Sequence, residues 1–250
     1  MPRGRCHFAL LLRLQDALEQ KLPQVSGITR DLMPDFLGGS LAPDAMRLLG
    51  KMGKYNSHFY DEGRRETWGK SVSGMFAAHP DLADYDKLAE SDRVLLMGYI
   101  AHLTTDEAFR DEVTIHVHGI KDWRPIIHGL WSFVDELAIE RNDLAENLDR
   151  FSGHGQVGFI DRGVSLAFLD KARGWATSED PVAHEQVFLK MVGRNLEGAE
   201  VVARLEENRG LAQEFFDAST QEKFVDEAVA RGVDEIEKFA TGVYAESSRR

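Results

Sequence analysis

The stretch SDRVLLMGYIAHLTTDEAFRDEV, residues 91–113, constrains the fold more than any other. Its apolar residues recur at three- and four-residue steps, and they are dense enough to bury most of a helix rather than one stripe. Ser91 or Asp92 is suited to cap its start. A long helix of this kind, predicted over residues 92–112, needs other helices around it. Set inside it are His102 and Asp106, whose desolvation costs free energy unless something compensates it.

The rest of the chain reads the same way. HFALLLRLQDALEQKL ends at Pro23, and APDAMRLLGKM places Pro43 near a helix start, a favoured position. RRETWGKSVSGMFAAH stops before Pro80, and RPIIHGLWSFVDELAIERNDLAENL follows the central helix. No alternating strand run and no Asn-Gly hairpin stands out. A glycine-rich break, FSGHGQVG at 151–158, precedes four further helical segments. The expectation is an all-α multi-helix bundle. Residues 1–150 would form a metal-binding helical domain, and residues 151–250 additional C-terminal helices packed on the same bundle. The tail ESSRR is expected to fray.

Composition narrows the function classes. In 250 residues, 43% are hydrophobic, enough for a core. A net charge of −12 repels phosphate backbones and anionic membranes. Nucleic acid is therefore not an expected partner, although a phosphate held at a local metal site is compatible. The single cysteine, Cys6, leaves no internal disulfide and suits a reducing compartment. No run approaches the roughly 20 apolar residues that span a bilayer, so a cytoplasmic protein is expected. Oligomeric state is not readable. GHGQVG fits neither a phosphate loop nor a dinucleotide fingerprint, and no G-x-S-x-G elbow is present. The tryptophans, Trp68, Trp123, Trp131 and Trp175, read as core or groove aromatics, and His79, His154 and His184 as surface or loop residues.

His102 and Asp106 stand one helical turn apart on one face. A His nitrogen and a carboxylate oxygen so placed suit one metal ion, or a His–Asp hydrogen bond inside a bundle. Asp44 follows Pro43, where it would serve as a ligand or as a helix cap. His58, in NSHFYDEG, is a ligand or a surface histidine against Phe59. Together the four fit an oxygen/nitrogen site for zinc or another divalent first-row metal. Asp35, Asp61 and Glu107 are candidates to support those ligands.

CHFAL, GSLAPDA, SHFYD and GYIAHLTTD, in this order, resemble the zinc-dependent phospholipase C family, whose helical zinc fold is shared with single-strand nucleases. The resemblance covers roughly residues 5–140. It implies an all-α protein binding zinc ions that activate water against a phosphodiester bond. By position, Asp44, His58, His102 and Asp106 would hold one metal. Asp106 would bridge to a second, with His7 as its other ligand; by itself His7 reads as a polar residue at the mouth of the first helix. One to two ions are expected.

The chain departs from the family pattern twice. Residues Met1 to Cys6 precede His7 without a tryptophan, where the family uses its mature N-terminus and a Trp. The family's third zinc takes a His soon after the core-helix Asp, then H-x-x-x-E. Here Glu112 stands six beyond Asp106, and Ser132 stands four beyond His128. His118, His128 and Asp135 are tentative substitutes, with His116 and Glu136 as neighbours of the same kind.

The function that follows is metal-dependent hydrolysis of a small phosphoester or phospholipid, with Asp44 doubling as ligand and proton acceptor. The alternatives are a nuclease or small-molecule phosphodiesterase on the same scaffold, and a non-catalytic helical protein retaining a structural or vestigial metal.

Overall fold

The computed structural model describes residues 3–61, 63–138, 153–176, 178 and 180–247, and among them every regular element is helical. The helices are α1 (Gly4–Lys21), α2 (Pro23–Asp31), α3 (Met33–Leu48), α4 (Lys54–His58), α5 (Ser71–Ala78), α6 (Glu90–Glu112) and α7 (Trp123–Asp135). After the glycine-rich break come α8 (Arg162–Ala176), α9 (Pro181–Met191), α10 (Ala199–Ala212), α11 (Ala218–Ala240) and α12 (Val243–Ser247). The all-α expectation is met. Residues 139–148, expected to prolong α7, and residues 248–250 of the tail lie outside the described residues.

Helix α6 is central, as its composition predicts: every residue from Val94 to Arg110 is buried. Helices α1, α3 and α11 pack on it, α8 packs on α3, and α10 packs on α7. The long helix α11 opens with Asp217, whose carboxylate accepts from Thr220 N at 2.8 Å, a local N-cap. On the far side, Phe76 of α5 stacks between Phe239 and Tyr244, with centroids at 5.1 and 4.5 Å.

The crossing of α3 and α6 decides where the site residues go. A Cβ built at Gly39 would stand 1.9 Å from the Leu95 carbonyl oxygen, and one at Gly98 would stand 2.1 Å from that of Phe36. Backbone therefore touches backbone, which only glycine permits at both positions. The residues beyond the crossing, Ser40 and Asp44 on one helix and His102 on the other, are drawn together.

Pro43 does not open a helix. It sits inside α3, and Pro34 occupies the helix start instead. The Gly38-Gly39-Ser40 run is a poor helix former, but burial against α6 outweighs that local preference. Asp44 is thus a mid-helix residue, not a cap.

Candidate metal centre

Four helices supply five buried polar side chains to one point. His7 comes from α1, Asp44 from α3, His58 from the last position of α4, and His102 and Asp106 from α6. Their exposures run from 0 to 7%, so solvation by bulk water is largely absent. His58 is buried, not the surface histidine weighed from sequence. Phe59 takes up the left-handed conformation at φ 55° and ends α4 there, leaving His58 turned toward α6.

The separations suit a shared ion. His58 Nε2 lies 3.3 Å from His102 Nε2, 3.6 Å from Asp44 Oδ1 and 3.7 Å from Asp106 Oδ2. His102 Nε2 lies 4.0 Å from Asp106 Oδ2, and His7 Nε2 lies 3.5 Å from Asp106 Oδ1. Four ligands about 2.0–2.2 Å from a zinc ion stand about 3.3–3.6 Å apart at tetrahedral corners. Two ligand groupings satisfy a common-ion geometry, His7/Asp44/His102 and His58/His102/Asp106. The groupings share His102.

The imidazoles are oriented from behind. His102 Nδ1 is 2.7 Å from the Ser40 carbonyl oxygen, so Nδ1 carries the proton and donates it. Its Nε2 is then a lone pair facing the cluster. His58 Nδ1 is 2.8 Å from Ser57 Oγ, and that hydroxyl also lies 3.3 Å from the Gly53 and Lys54 carbonyls. The hydroxyl donates to those carbonyls and accepts from His58 Nδ1–H, leaving Nε2 unprotonated as well. The Ser57 carbonyl is itself held by the Tyr99 hydroxyl. Two Nε2 lone pairs at 3.3 Å repel each other unless a cation lies between them.

Electrostatics agree. Burial, then the proximity of His102, pushes His7 well below the usual imidazole range, and burial also lowers His58. Burial alone would raise Asp44. The proximity of His58, and the fields of His102 and His7, overcome it and hold Asp44 well below the ordinary carboxylate range. Neither carboxylate oxygen of Asp106 and neither ring nitrogen of His7 makes a hydrogen bond, although all four atoms are buried. Such groups call for an ion or a proton partner. Three imidazoles and two carboxylates form a donor set that a divalent first-row cation fits.

The tentative third-site residues lie elsewhere. His118 and His128 line a cleft with Trp123 and Trp131. His128 is lowered to about 4 by burial and then Arg3. Asp135 is buried 3.5 Å from Arg3 Nε and 3.4 Å from His184 Nδ1, and Arg3 also pairs with Glu185 at 2.6 Å. His184, expected at the surface, is buried in that ion-pair cluster. None of the three tentative residues belongs to either ligand grouping.

The expected supporting acids hold backbone instead. Asp35 accepts from Gly155 N at 2.6 Å, Asp61 from Gly63 N at 2.8 Å, and Glu107 from Ser71 N at 2.8 Å at the start of α5. The groups that do orient the imidazoles, Ser57 and the Ser40 carbonyl, escaped sequence reasoning. A backbone acceptor leaves no residue signal, while Ser57 stands beside His58 in NSHF and was readable.

Compared with family models, with curated proteins and with solved structures, the chain matches none of them.

Proposed function

We propose that this chain is a metal-dependent hydrolase of small phosphoesters, with zinc or another divalent first-row metal held by His58, His102, Asp106 and Asp44, and with His7 beside them. The observation that carries the reading is the pair of back-bonded imidazoles presenting Nε2 atoms 3.3 Å apart beside two carboxylates. When bound, the cation supplies a Lewis acid that makes water a nucleophile near neutral pH and polarises a phosphoryl oxygen. His58 and His102 contribute neutral nitrogen donors in fixed tautomers. Asp106 contributes charge at a point from which bulk water is excluded. Asp44 is the cluster member that also borders a cavity, so it is the first to meet a substrate. Its depressed pKa suits a ligand; as a general base it is weaker than a group titrating near neutrality.

The test pairs metal content with turnover. Purified protein reconstituted with zinc is expected to hold one to two ions per chain and to hydrolyse bis(p-nitrophenyl) phosphate slowly near neutral pH, with activity lost to chelator. Asp106→Asn keeps the shape and removes the charge, and is expected to abolish turnover. Protein that stays metal-free after reconstitution, or Asp106→Asn turning over like wild type, overturns the reading.

A second reading has its own support. The cluster is enclosed and joins four helices, as a structural ion would. It predicts bound metal whose removal lowers the unfolding midpoint, with no turnover of any phosphodiester.

A further inference from the structure

The five cluster residues are not equally enclosed. Asp44 is 7% exposed, whereas His7, His58, His102 and Asp106 lie between 0 and 2%. Asp44 is also the member of the cluster that lines a cavity of about 150 Å³. The walls of that cavity come from four helices and the residue after one of them: Leu48 of α3, Trp131 of α7, Phe168 of α8, and Phe188, Met191 and Val192 of α9 and its end. Val192 is 41% exposed, so the lining takes in both a surface residue and a residue of the buried centre. The C-terminal helices α8 and α9 thus contribute walls to a cavity that reaches a candidate ligand on α3.

The polar groups in the lining are already matched. The Arg3 guanidinium pairs with Glu185 at 2.6 Å, and His184 Nδ1 lies 3.4 Å from Asp135. Arg47 is engaged as well, and Asp44 Oδ1 faces His58 Nε2 at 3.6 Å. What the cavity has left to offer a ligand is apolar and aromatic surface, the usual basis for holding an uncharged group. Rings can also hold a quaternary ammonium, but Arg3 lies over both Phe188 and Trp131, at 4.5 and 5.8 Å from their centroids. A cationic head group would meet that like charge. Size narrows the ligand further, because an apolar cavity of about 150 Å³ takes one benzene-sized group. The tails of a two-chain lipid do not fit within it.

We propose that this cavity is a specificity subsite for one small, uncharged aromatic group carried by the phosphoester, with the phosphoryl group placed at Asp44. The proposal rests on the hydrolase reading and gives it a substrate class: esters of small aromatic alcohols, rather than choline-type or diacyl lipids.

The test uses full-length protein and has two arms. In the first, calorimetry on zinc-reconstituted protein compares benzylphosphonate, methylphosphonate and phosphocholine. A hydrophobic pocket discriminates about tenfold or more for a single missing methylene. Benzylphosphonate is therefore expected to bind at least tenfold more tightly than either of the others. Met191→Trp, which fills the cavity, should reduce that advantage at least fivefold; if it fails to fold, Val192→Trp, at a partly exposed position, carries the same comparison. Equal affinity for the three phosphonates and phosphates, or an advantage undiminished in the folded variants, overturns the proposal. In the second arm, ligand-observed NMR on chelator-treated protein compares toluene with tetramethylammonium. Toluene is expected to bind wild type at least tenfold more tightly than the filled variant, and tetramethylammonium is expected not to bind. Protein that never takes up zinc but binds toluene in this way upholds the aromatic pocket while ending the hydrolase reading. Zinc-dependent turnover of bis(p-nitrophenyl) phosphate with neither the benzylphosphonate advantage nor toluene binding overturns the subsite and leaves the hydrolase reading standing.

Discussion

His58 and His102 show how much of a candidate ligand's behaviour is set by the groups behind it. Each imidazole is a neutral donor only because something behind it takes the Nδ1 proton, the Ser40 carbonyl for His102 and the Ser57 hydroxyl for His58. Outer partners of this kind typically affect metal affinity by 10–100-fold. Ser57→Ala is therefore expected to weaken zinc binding about tenfold with an unchanged circular dichroism spectrum. Competition titration against a chromogenic chelator measures it, and an unaltered affinity would show that the Ser57 hydroxyl does not tune His58. His102→Ala removes the residue common to both groupings and is expected to leave the purified protein nearly metal-free by elemental analysis. His7, stacked on His102 with centroids 3.8 Å apart and planes 9° apart, owes its place to that ring as much as to its own helix.

At the scale of elements, the contact between α3 and α6 sets the position of the site. Its glycines allow two backbones to touch, and the polar residues follow one turn further along each helix. Inserting a methyl group there forces the helices apart, and overpacking of this sort costs about 1–3 kcal/mol. Gly98→Ala is expected to lower the urea midpoint accordingly and to reduce bound zinc in the protein that remains folded. Gly27→Ala, inside α2 where an added Cβ meets nothing within 4 Å, is the control: it should leave bound zinc unchanged and raise the midpoint slightly, by about 0.5–1 kcal/mol. Residues 153–158, ahead of α8, are held in a related way. Asp35 of α3 accepts the Gly155 amide, and a Cβ at Gly155 would stand 2.6 Å from the Ser91 carbonyl oxygen.

For the whole molecule, burial of charge sets the response to pH. Among the described residues, no helix is long and apolar enough to cross a membrane, and the apolar material goes instead into one continuous core. Charges enclosed by that core must be matched. Burial pushes Asp135 up to about 7, with Arg3 and Arg5 pulling the other way. The folded chain thus keeps a proton that the unfolded chain releases near pH 4. That contribution to stability is complete below about pH 4 and is lost as pH rises to about 7, with a slope of up to about 1.4 kcal/mol per pH unit. Asp135→Asn is expected to flatten this part of the profile in chemical denaturation across pH 4–7. A variant profile as steep as wild type would place the effect elsewhere. His184 works in the opposite sense, lowered to about 2 by burial and then the arginines. It withdraws stability as pH falls below its ordinary range.

Periodicity and density of apolar residues determined the helices, because a buried helix writes its 3.6-residue repeat into the chain regardless of its neighbours. The candidate ligands were also readable one by one. His102 and Asp106 are spaced by one turn within an apolar run, and Asp44, His58 and His7 stand in polar breaks of otherwise apolar segments. Their convergence was not readable, since residues 7, 44, 58 and 102 meet only when α1, α3, α4 and α6 have packed. The place of Pro43 inside α3 was decided by tertiary burial over local propensity. Asp135 and His184 became a buried ion-pair cluster with Arg3 for the same reason, because α7 and α9 bring those charges to one place and no short-range pattern marks their meeting.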